Sequence, residues 1–80
     1  MDKRYTYTVK IVPDEGGYVV TVPSLPGCHT QGKTYDAALA NAEEAIQGHI
    51  ELLQKLGRPV PVEKRLFRQL HLQIKVPALA

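Results

Sequence analysis

The 80-residue chain contains a single cysteine, Cys28. One cysteine cannot form an internal disulfide, and it cannot supply a cysteine-rich tetrahedral zinc site. Disulfides are common in oxidising compartments, so the count favours a reducing one. We therefore expect a cytoplasmic protein that has neither a disulfide framework nor a structural zinc ion.

Long apolar runs and a strong net charge are also lacking. No uninterrupted apolar stretch reaches the roughly 18–20 residues that a membrane span needs, and residues 1–8 contain no apolar segment of the kind found in signal peptides. The net charge of +2 is too small to indicate nucleic-acid binding by itself. There is no internal repeat, and the length predicts a single domain over residues 1–80.

The composition is that of an ordinary globular protein, with 44% hydrophobic and 22% charged residues. A chain of this size buries only about 60–65% of the surface of its unfolded state, so an isolated monomer would be marginally stable. We therefore expect a homo-oligomer, a dimer or a tetramer, or a complex with another protein.

The first third of the chain has the pattern of three short strands. Residues 5–12 alternate apolar with polar side chains, which is typical of a half-buried strand, and residues 18–22 continue after a turn that is rich in proline and glycine. Pro26 and Gly27 suit the central positions of a type II turn. Residues 28–31 then form a short third strand, which completes an antiparallel meander.

The middle of the chain changes to helical periodicity. Over residues 35–56 the apolar side chains cluster on an arc of roughly 160° at 100° per residue. Thr34 is a suitable N-cap and Asp36 lies near the positive end of the helix dipole. Gly57 is suited to the C-terminal cap, and Pro59 prevents the helix from continuing.

Residues 70–76 alternate strictly and predict a fourth strand that ends at Pro77. The order β-β-β-α-β predicts an α+β fold: a three-stranded antiparallel meander plus a fourth strand, with one long helix packed on one face. A right-handed crossover through the helix would place the fourth strand beside the first and parallel to it.

Two motifs follow each other closely in the sequence. Residues 23–28 read Pro-Ser-Leu-Pro-Gly-Cys, and residues 30–34 read Thr-Gln-Gly-Lys-Thr at the step into the helix. The pattern is completed by the alanine-rich stretch 37–46 and by residues 57–61, a proline-containing segment that follows the helix. Together they resemble the HicB family of antitoxins over most of the chain.

The resemblance implies a partial ribonuclease-H-like fold that lacks the catalytic carboxylates. It also implies that the protein binds and neutralises HicA, a small toxin that cleaves messenger RNA. Many family members carry a C-terminal DNA-binding domain. Only four residues follow Val76 here, so we expect no such domain and no direct DNA binding by that route.

An acidic helix flank is the candidate partner site. Residues 34–56 carry four acidic side chains against one basic side chain. A toxin that holds RNA must be basic where it contacts phosphates, and an acidic surface would complement that region. The candidate residues are Glu43, Glu44, Gln47 and Glu51. The alternative is a solvated helix face supported by a Glu51–Lys55 pair.

The apolar arc of the helix is wider than a small sheet requires, so part of it is a candidate oligomer surface. Its shoulder contains Ala38 and Ala45, and a fourth strand at the edge of the sheet could pair with its copy in a second chain. The alternative for all of these positions is packing inside one core. The candidate interface residues are Leu52, Leu56, Leu70, Leu72 and Ile74.

The sequence assigns no catalytic residue, no metal site and no cofactor. An enzyme would have to use Asp14, Glu15 and Asp36, but two-metal chemistry requires carboxylates that converge on the ions, and turn and helix-start positions already explain these three residues. Cys28 and His29 are adjacent on a strand and so point to opposite faces. The alternatives to an antitoxin are an oligomeric interaction domain without a toxin partner and a metal-dependent nuclease of ribonuclease-H-like fold.

Overall fold

A computed structural model describes residues 2–63 and 70–77, which form a sheet of four strands with one helix packed on it. The strand order is β3-β2-β1-β4, and every neighbouring pair is antiparallel. The α+β class, with antiparallel strands and a single long helix, is confirmed. The elements are β1 (Asp2–Asp14), β2 (Gly17–Thr21), β3 (His29–Gly32), α1 (Tyr35–Lys55) and β4 (Leu70–Pro77).

The long strand β1 pairs with a different neighbour in each of its halves. From Asp2 to Val9 its partner is β4, and from Lys10 to Asp14 its partner is β2. Side chains alternate between the two faces, so Tyr7 and Val9 are both buried in the core beneath α1. The strand therefore joins the meander to the C-terminal part of the sheet.

Both predicted turns are tight, and the first places Glu15 at a positive φ, which is uncommon for a residue other than glycine. Asp14 pairs with Gly17 across a two-residue loop in which Glu15 and Gly16 have φ of 38° and 80°, as a type I′ hairpin requires. In the second turn Gly27 has φ of 85°, and the Cys28 N–H donates to the Leu25 carbonyl at 2.9 Å. This confirms the type II turn at Pro26 and Gly27.

The predicted helix caps are also confirmed. The Thr34 hydroxyl accepts a hydrogen bond from the Ala37 N–H at 3.0 Å. At the other end Gly57 has φ of 67°, and the Arg58 N–H donates to the Leu53 carbonyl at 2.9 Å. These contacts form a Schellman cap, which satisfies carbonyls that would otherwise lack a partner.

The core lies between the sheet and the buried side of α1. The start of the helix lies close to β3 at Gly32, where an added Cβ would lie 2.4 Å from the backbone nitrogen of Ala38. Among the described residues, no helix is both long and apolar enough to cross a membrane. The buried apolar side chains are Tyr7, Val9, Val20, Val22, Leu25, Cys28, Ala38, Ala42, Ile46, Ile50, Ile74 and Val76.

The predicted direction of the last strand was wrong, because β4 runs antiparallel to β1. After the helix ends, the chain returns along β1: the Pro61 carbonyl accepts a hydrogen bond from the Tyr7 hydroxyl, and Glu63 contacts Thr8. This return brings the chain towards the Val9 end of β1 before β4 begins there. A parallel strand would have required the chain to start β4 at the opposite end.

Candidate protein interface

The acidic flank of α1 is accessible, but its four members differ in burial. Glu43 and Glu44 are exposed, whereas Gln47 and Glu51 are half-buried. Glu44 lies about 160° around the helix from the buried Ile46, so it is on the exposed side of α1. The structure therefore leaves the first two carboxylates most available to a partner.

A second accessible region lies where α1 overhangs the edge strand β3. The side-chain amide of Asn41 donates to the Gln31 carbonyl at 2.8 Å and bridges the two elements. An open depression of about 710 Å³ lies on one side of Asn41, towards the β1–β2 hairpin. A smaller depression of about 270 Å³ lies on the other side and is lined by Thr30, Asn41, Glu44 and Ala45.

The candidate oligomer residues divide into two groups. Leu52 is 54% exposed and Leu56 is 58% exposed, so both remain available to a second chain. Ile74 and Ala38 are fully buried in the core of their own chain. Packing between the sheet and the helix already uses these two side chains, which is the alternative that the sequence left open for them.

The remaining oligomer candidates lie on β4. The side chains of Leu70 and Leu72 are outside the described part of the structure. The backbone of β4 forms one end of the strand order, so its outer edge faces no strand among the described residues. An edge of this kind can pair with another chain.

The carboxylates that an enzyme would need do not converge. Asp14 and Glu15 lie at the exposed hairpin, and Asp36 is exposed in the first turn of α1. Within residues 2–63 and 70–77, no group of three or more histidine, cysteine or acidic side chains is placed to hold a metal ion. Cys28 is buried and its neighbour His29 is exposed, as their opposite orientations predicted.

Glu63 has a structural role that the sequence did not reveal. Its carboxylate accepts from the Thr8 N–H at 2.9 and 3.1 Å, from the Ser24 hydroxyl at 2.7 Å, and from the Thr8 hydroxyl. Continuing the β1–β2 register would place Thr8 opposite Pro23, which has no N–H. Glu63 thus accepts the hydrogen bond of the buried Thr8 N–H at the point where β2 ends and no longer pairs with β1.

One feature of the sequence could have drawn attention to Glu63. It is the single acidic residue in the segment 57–80, whose other charged residues are all basic, and it directly follows a proline-rich extended segment. Its three donors lie 39 and 55 residues away along the chain, however. No local pattern connects groups so far apart.

Two buried side chains have raised pKa values. Burial, with added repulsion from Tyr5, Glu63 and Cys28, raises the pKa of Tyr7 from 10.0 to about 12. Burial also raises the pKa of the Cys28 thiol. Both groups are therefore neutral near pH 7, and the Cys28 environment disfavours the reactive thiolate.

Comparison with known proteins identifies the family to which this chain is similar. Residues 7–73 match the model described as HicB_like antitoxin of bacterial toxin-antitoxin system. A UPF0150 protein of Thermoplasma acidophilum is 57% identical over 56 residues, which cover 69% of this chain and 81% of that protein. A UPF0150 protein of Synechocystis is 39% identical over 71 residues, covering 88% of this chain and 90% of the relative.

A longer relative carries the antitoxin name. Antitoxin HicB 2 of Photorhabdus laumondii is 34% identical over 61 residues, which cover 76% of this chain and 44% of that protein. This chain therefore spans less than half of that relative.

Solved structures agree with the sequence match. A chain from the structure of a HicA3 and HicB3 toxin-antitoxin complex superposes with a TM-score of 0.70 at 24% identity, covering 91% of this chain and 99% of the other. The N-terminal domain of Burkholderia pseudomallei antitoxin HicB superposes with a TM-score of 0.64 at 31% identity, covering 98% of this chain and all of that domain. The chain belongs to the HicB-like antitoxin family of bacterial toxin–antitoxin systems.

Proposed function

We propose that this protein is an antitoxin that binds and neutralises a HicA-like, mRNA-cleaving toxin, and that it acts by binding rather than by catalysis. The observation that carries the proposal is the family match over residues 7–73. The similarity in fold and sequence to the N-terminal domain of an antitoxin HicB supports it. Such a protein acts where mRNA is translated, so the proposal places it in the cytoplasm.

The acidic flank supplies a physical basis for recognition. Glu43 and Glu44 are adjacent and exposed, with Gln47 and Glu51 half-buried beside them. A toxin that grips RNA presents positive charge, and opposite charges across an interface speed association and favour the correct partner. Covering that positive surface would exclude RNA from the toxin.

Self-association forms part of the proposal. Leu52 and Leu56 expose apolar surface near the C-terminal end of α1, and the outer edge of β4 is open among the described strands. Pairing β4 with its copy would extend the sheet across a dimer and remove two open edges.

Co-expression with a small basic protein encoded beside this gene tests the proposal. Expression of that protein alone is expected to arrest growth, and co-expression of the antitoxin is expected to restore it. The double variant Glu43→Lys/Glu44→Lys should weaken the purified complex by about tenfold or more, because it reverses the charge at the contact. Thr21→Lys is the control, since Thr21 is exposed on the sheet face away from α1.

Three results would contradict the proposal. Growth arrest that persists on co-expression would show that the protein does not neutralise this toxin, and would favour an oligomeric interaction domain without a toxin partner. An equal loss of affinity in the Glu43→Lys/Glu44→Lys variant and in the Thr21→Lys control would show that the acidic flank does not contact the toxin. RNA turnover by the purified chain with magnesium, lost on Asp14→Asn, would replace binding with nuclease activity.

A further inference from the structure

Strand β3 has a free edge whose backbone groups point outwards. The pairing of Val20 with Thr30 and the hydrogen bond from the Val22 N–H to the Cys28 carbonyl at 3.1 Å direct even-numbered residues of β3 towards β2. Backbone groups alternate in an antiparallel ladder, so those of His29 and Gln31 point away from β2. Since β3 ends the strand order, these groups face no strand among the described residues.

The space beside this edge is bounded by the flank of α1. The depressions on either side of Asn41 follow the edge of β3, from the β1–β2 hairpin at one end to Glu44 and Ala45 at the other. In the free protein the Asn41 amide holds the outward carbonyl of Gln31. Within residues 2–63 and 70–77, no such bridge holds the outward groups of His29 or the Gln31 N–H, so a further strand would find hydrogen-bonding groups there.

The charge around this space is mainly negative. Asp14 and Glu15 line the larger depression together with Lys33, and Glu44 lines the smaller one. Three carboxylates against one ammonium favour an occupant that carries positive charge. The edge supplies backbone hydrogen bonds, and the carboxylates supply the preference for charge.

We propose that the protein binds an extended, basic segment of its partner as an additional strand on the free edge of β3, beneath the flank of α1 that carries Asn41, Glu44 and Gly48. Strand addition takes affinity from main-chain hydrogen bonds and specificity from alternate side chains. This inference rests on the proposed function for the identity of the partner, and it names the surface and the form in which that partner is held.

A second copy of this chain is a poorer occupant of the same edge. Pairing β3 with its own copy about a twofold axis would bring two sets of Asp14, Glu15 and Glu44 together, and like charges at an interface oppose association. The strand also has only four residues, whereas β4 offers eight for self-pairing. The β3 edge is therefore assigned to the partner and not to a second copy.

The mid-helix residue Gly48 offers a probe of this surface. A Cβ at Gly48 would meet no atom of the described residues within 4 Å, and the residue is exposed. Lysine is a better helix former than glycine, so Gly48→Lys should preserve or improve folding. It adds positive charge on the side of α1 that carries Asn41, because residues seven apart lie within about 20° of each other around the helix. Ala40→Lys introduces the same side chain at an exposed position about 100° around the helix from Asn41, which is the residue that contacts β3.

The test begins with random dodecapeptides displayed on phage and selected against the immobilised full chain. Enriched sequences should carry Lys or Arg at alternate positions. Gly48→Lys should weaken binding of a selected synthetic peptide by about tenfold or more, and Ala40→Lys should change it less than twofold. Hydrogen exchange followed by NMR should show the His29 and Gln31 amides slowed at least tenfold by peptide, while the already paired Thr30 amide changes little.

The HicA-like toxin is the second probe, and it separates this inference from the proposed function. If the toxin binds but Gly48→Lys has no effect and neither edge amide is slowed, the inference is overturned while the proposed function stands. If the toxin does not bind but basic peptides slow both edge amides, the proposed function is lost and strand addition at β3 stands. If selection enriches no basic peptides, or only peptides that leave both amides unchanged, the inference is overturned.

Discussion

At the scale of single residues, Glu63 joins three parts of the chain that are distant in sequence. Its carboxylate contacts Thr8 in β1 and Ser24 in the turn after β2, and the segment that carries it returns from the helix. Thr8 is almost fully buried, so its N–H and hydroxyl depend on this partner. A buried donor that loses its acceptor costs about 1–3 kcal/mol.

Glu63→Gln is therefore expected to lower the free energy of unfolding by about 1–3 kcal/mol, because one amide oxygen cannot replace two carboxylate oxygens for three donors. Urea unfolding followed by circular dichroism measures the change. Glu44→Gln makes the same chemical change at an exposed helix position and should alter stability by no more than about 0.5 kcal/mol. Equal effects of the two substitutions would show that the Glu63 contacts do not stabilise the fold.

Tyr7 predicts a dependence of stability on high pH. Its hydroxyl donates to the Pro61 carbonyl at 2.6 Å, and its folded-state pKa is raised from 10.0 to about 12. A raised pKa means that folding favours the neutral form of Tyr7. The contribution of Tyr7 to the free energy of unfolding is therefore complete below about pH 10 and is lost as the pH rises towards 12. Absorbance titration of the four tyrosines should show one that ionises last.

Tyr7→Phe should remove that last step from the titration and cost roughly 1 kcal/mol of stability through the lost hydrogen bond. Tyr35→Phe, at an exposed position, should leave the last step in place. A last step that survives in Tyr7→Phe would assign the raised pKa to another tyrosine.

At the scale of elements, the close contact between β3 and the start of α1 depends on the absence of a side chain. The φ of Gly32 is not in the left-handed region, so its requirement is for space and not for an unusual backbone conformation. An added Cβ would lie 2.4 Å from a backbone nitrogen of α1, and backbone cannot swing aside as a flexible side chain can. The strand and the helix would have to separate.

Gly32→Ala is expected to lower the melting temperature and to cost about 1–3 kcal/mol or more through overpacking. Gly48→Ala is the matched control, since the added Cβ would contact none of the residues that the structure describes, and alanine is the better helix former by about 0.8–1 kcal/mol. The two changes should shift the melting temperature in opposite directions. A stabilised Gly32→Ala variant would show that α1 does not approach β3 as described.

At the scale of the whole molecule, local and distant interactions differed in how far the sequence could predict them. The helix N-cap at Thr34, the C-terminal cap at Gly57 and the type II turn at Pro26 and Gly27 depend on neighbours within a few positions, and all three were predicted. The antiparallel direction of β4 depends on where residues 58–63 dock, which is decided by contacts more than 50 residues apart.

The candidate interface shows the same division. Helical periodicity was enough to predict that Glu43 and Glu44 are exposed, because a side chain's angle around the axis follows from its position. Periodicity alone could not separate Leu56, which is exposed, from Ala38, which is buried, because residues 18 apart lie at the same angle around the helix axis. That difference depends on how far the sheet extends beneath the helix.

Exposed Leu52 and Leu56 lead to a prediction for the assembled protein. Light scattering at micromolar concentration should give a mass above the 8.9 kDa of one chain. Leu52→Lys combined with Leu56→Lys should shift the population towards the monomer, because two desolvated apolar contacts are replaced by charges. A wild-type sample that contains only the 8.9 kDa species would contradict self-association.

The divided pairing of β1 also has a consequence for synthesis on the ribosome. Its second half meets β2 across a two-residue loop, whereas its first half waits for residues 70–77. Nearby contacts form sooner than those that close a long loop. We expect the nascent chain to form its hairpin and helix early and to leave one edge of the first half of β1 unpaired until residues 70–77 have left the ribosome, and mispairing between neighbouring nascent chains is most costly in that interval.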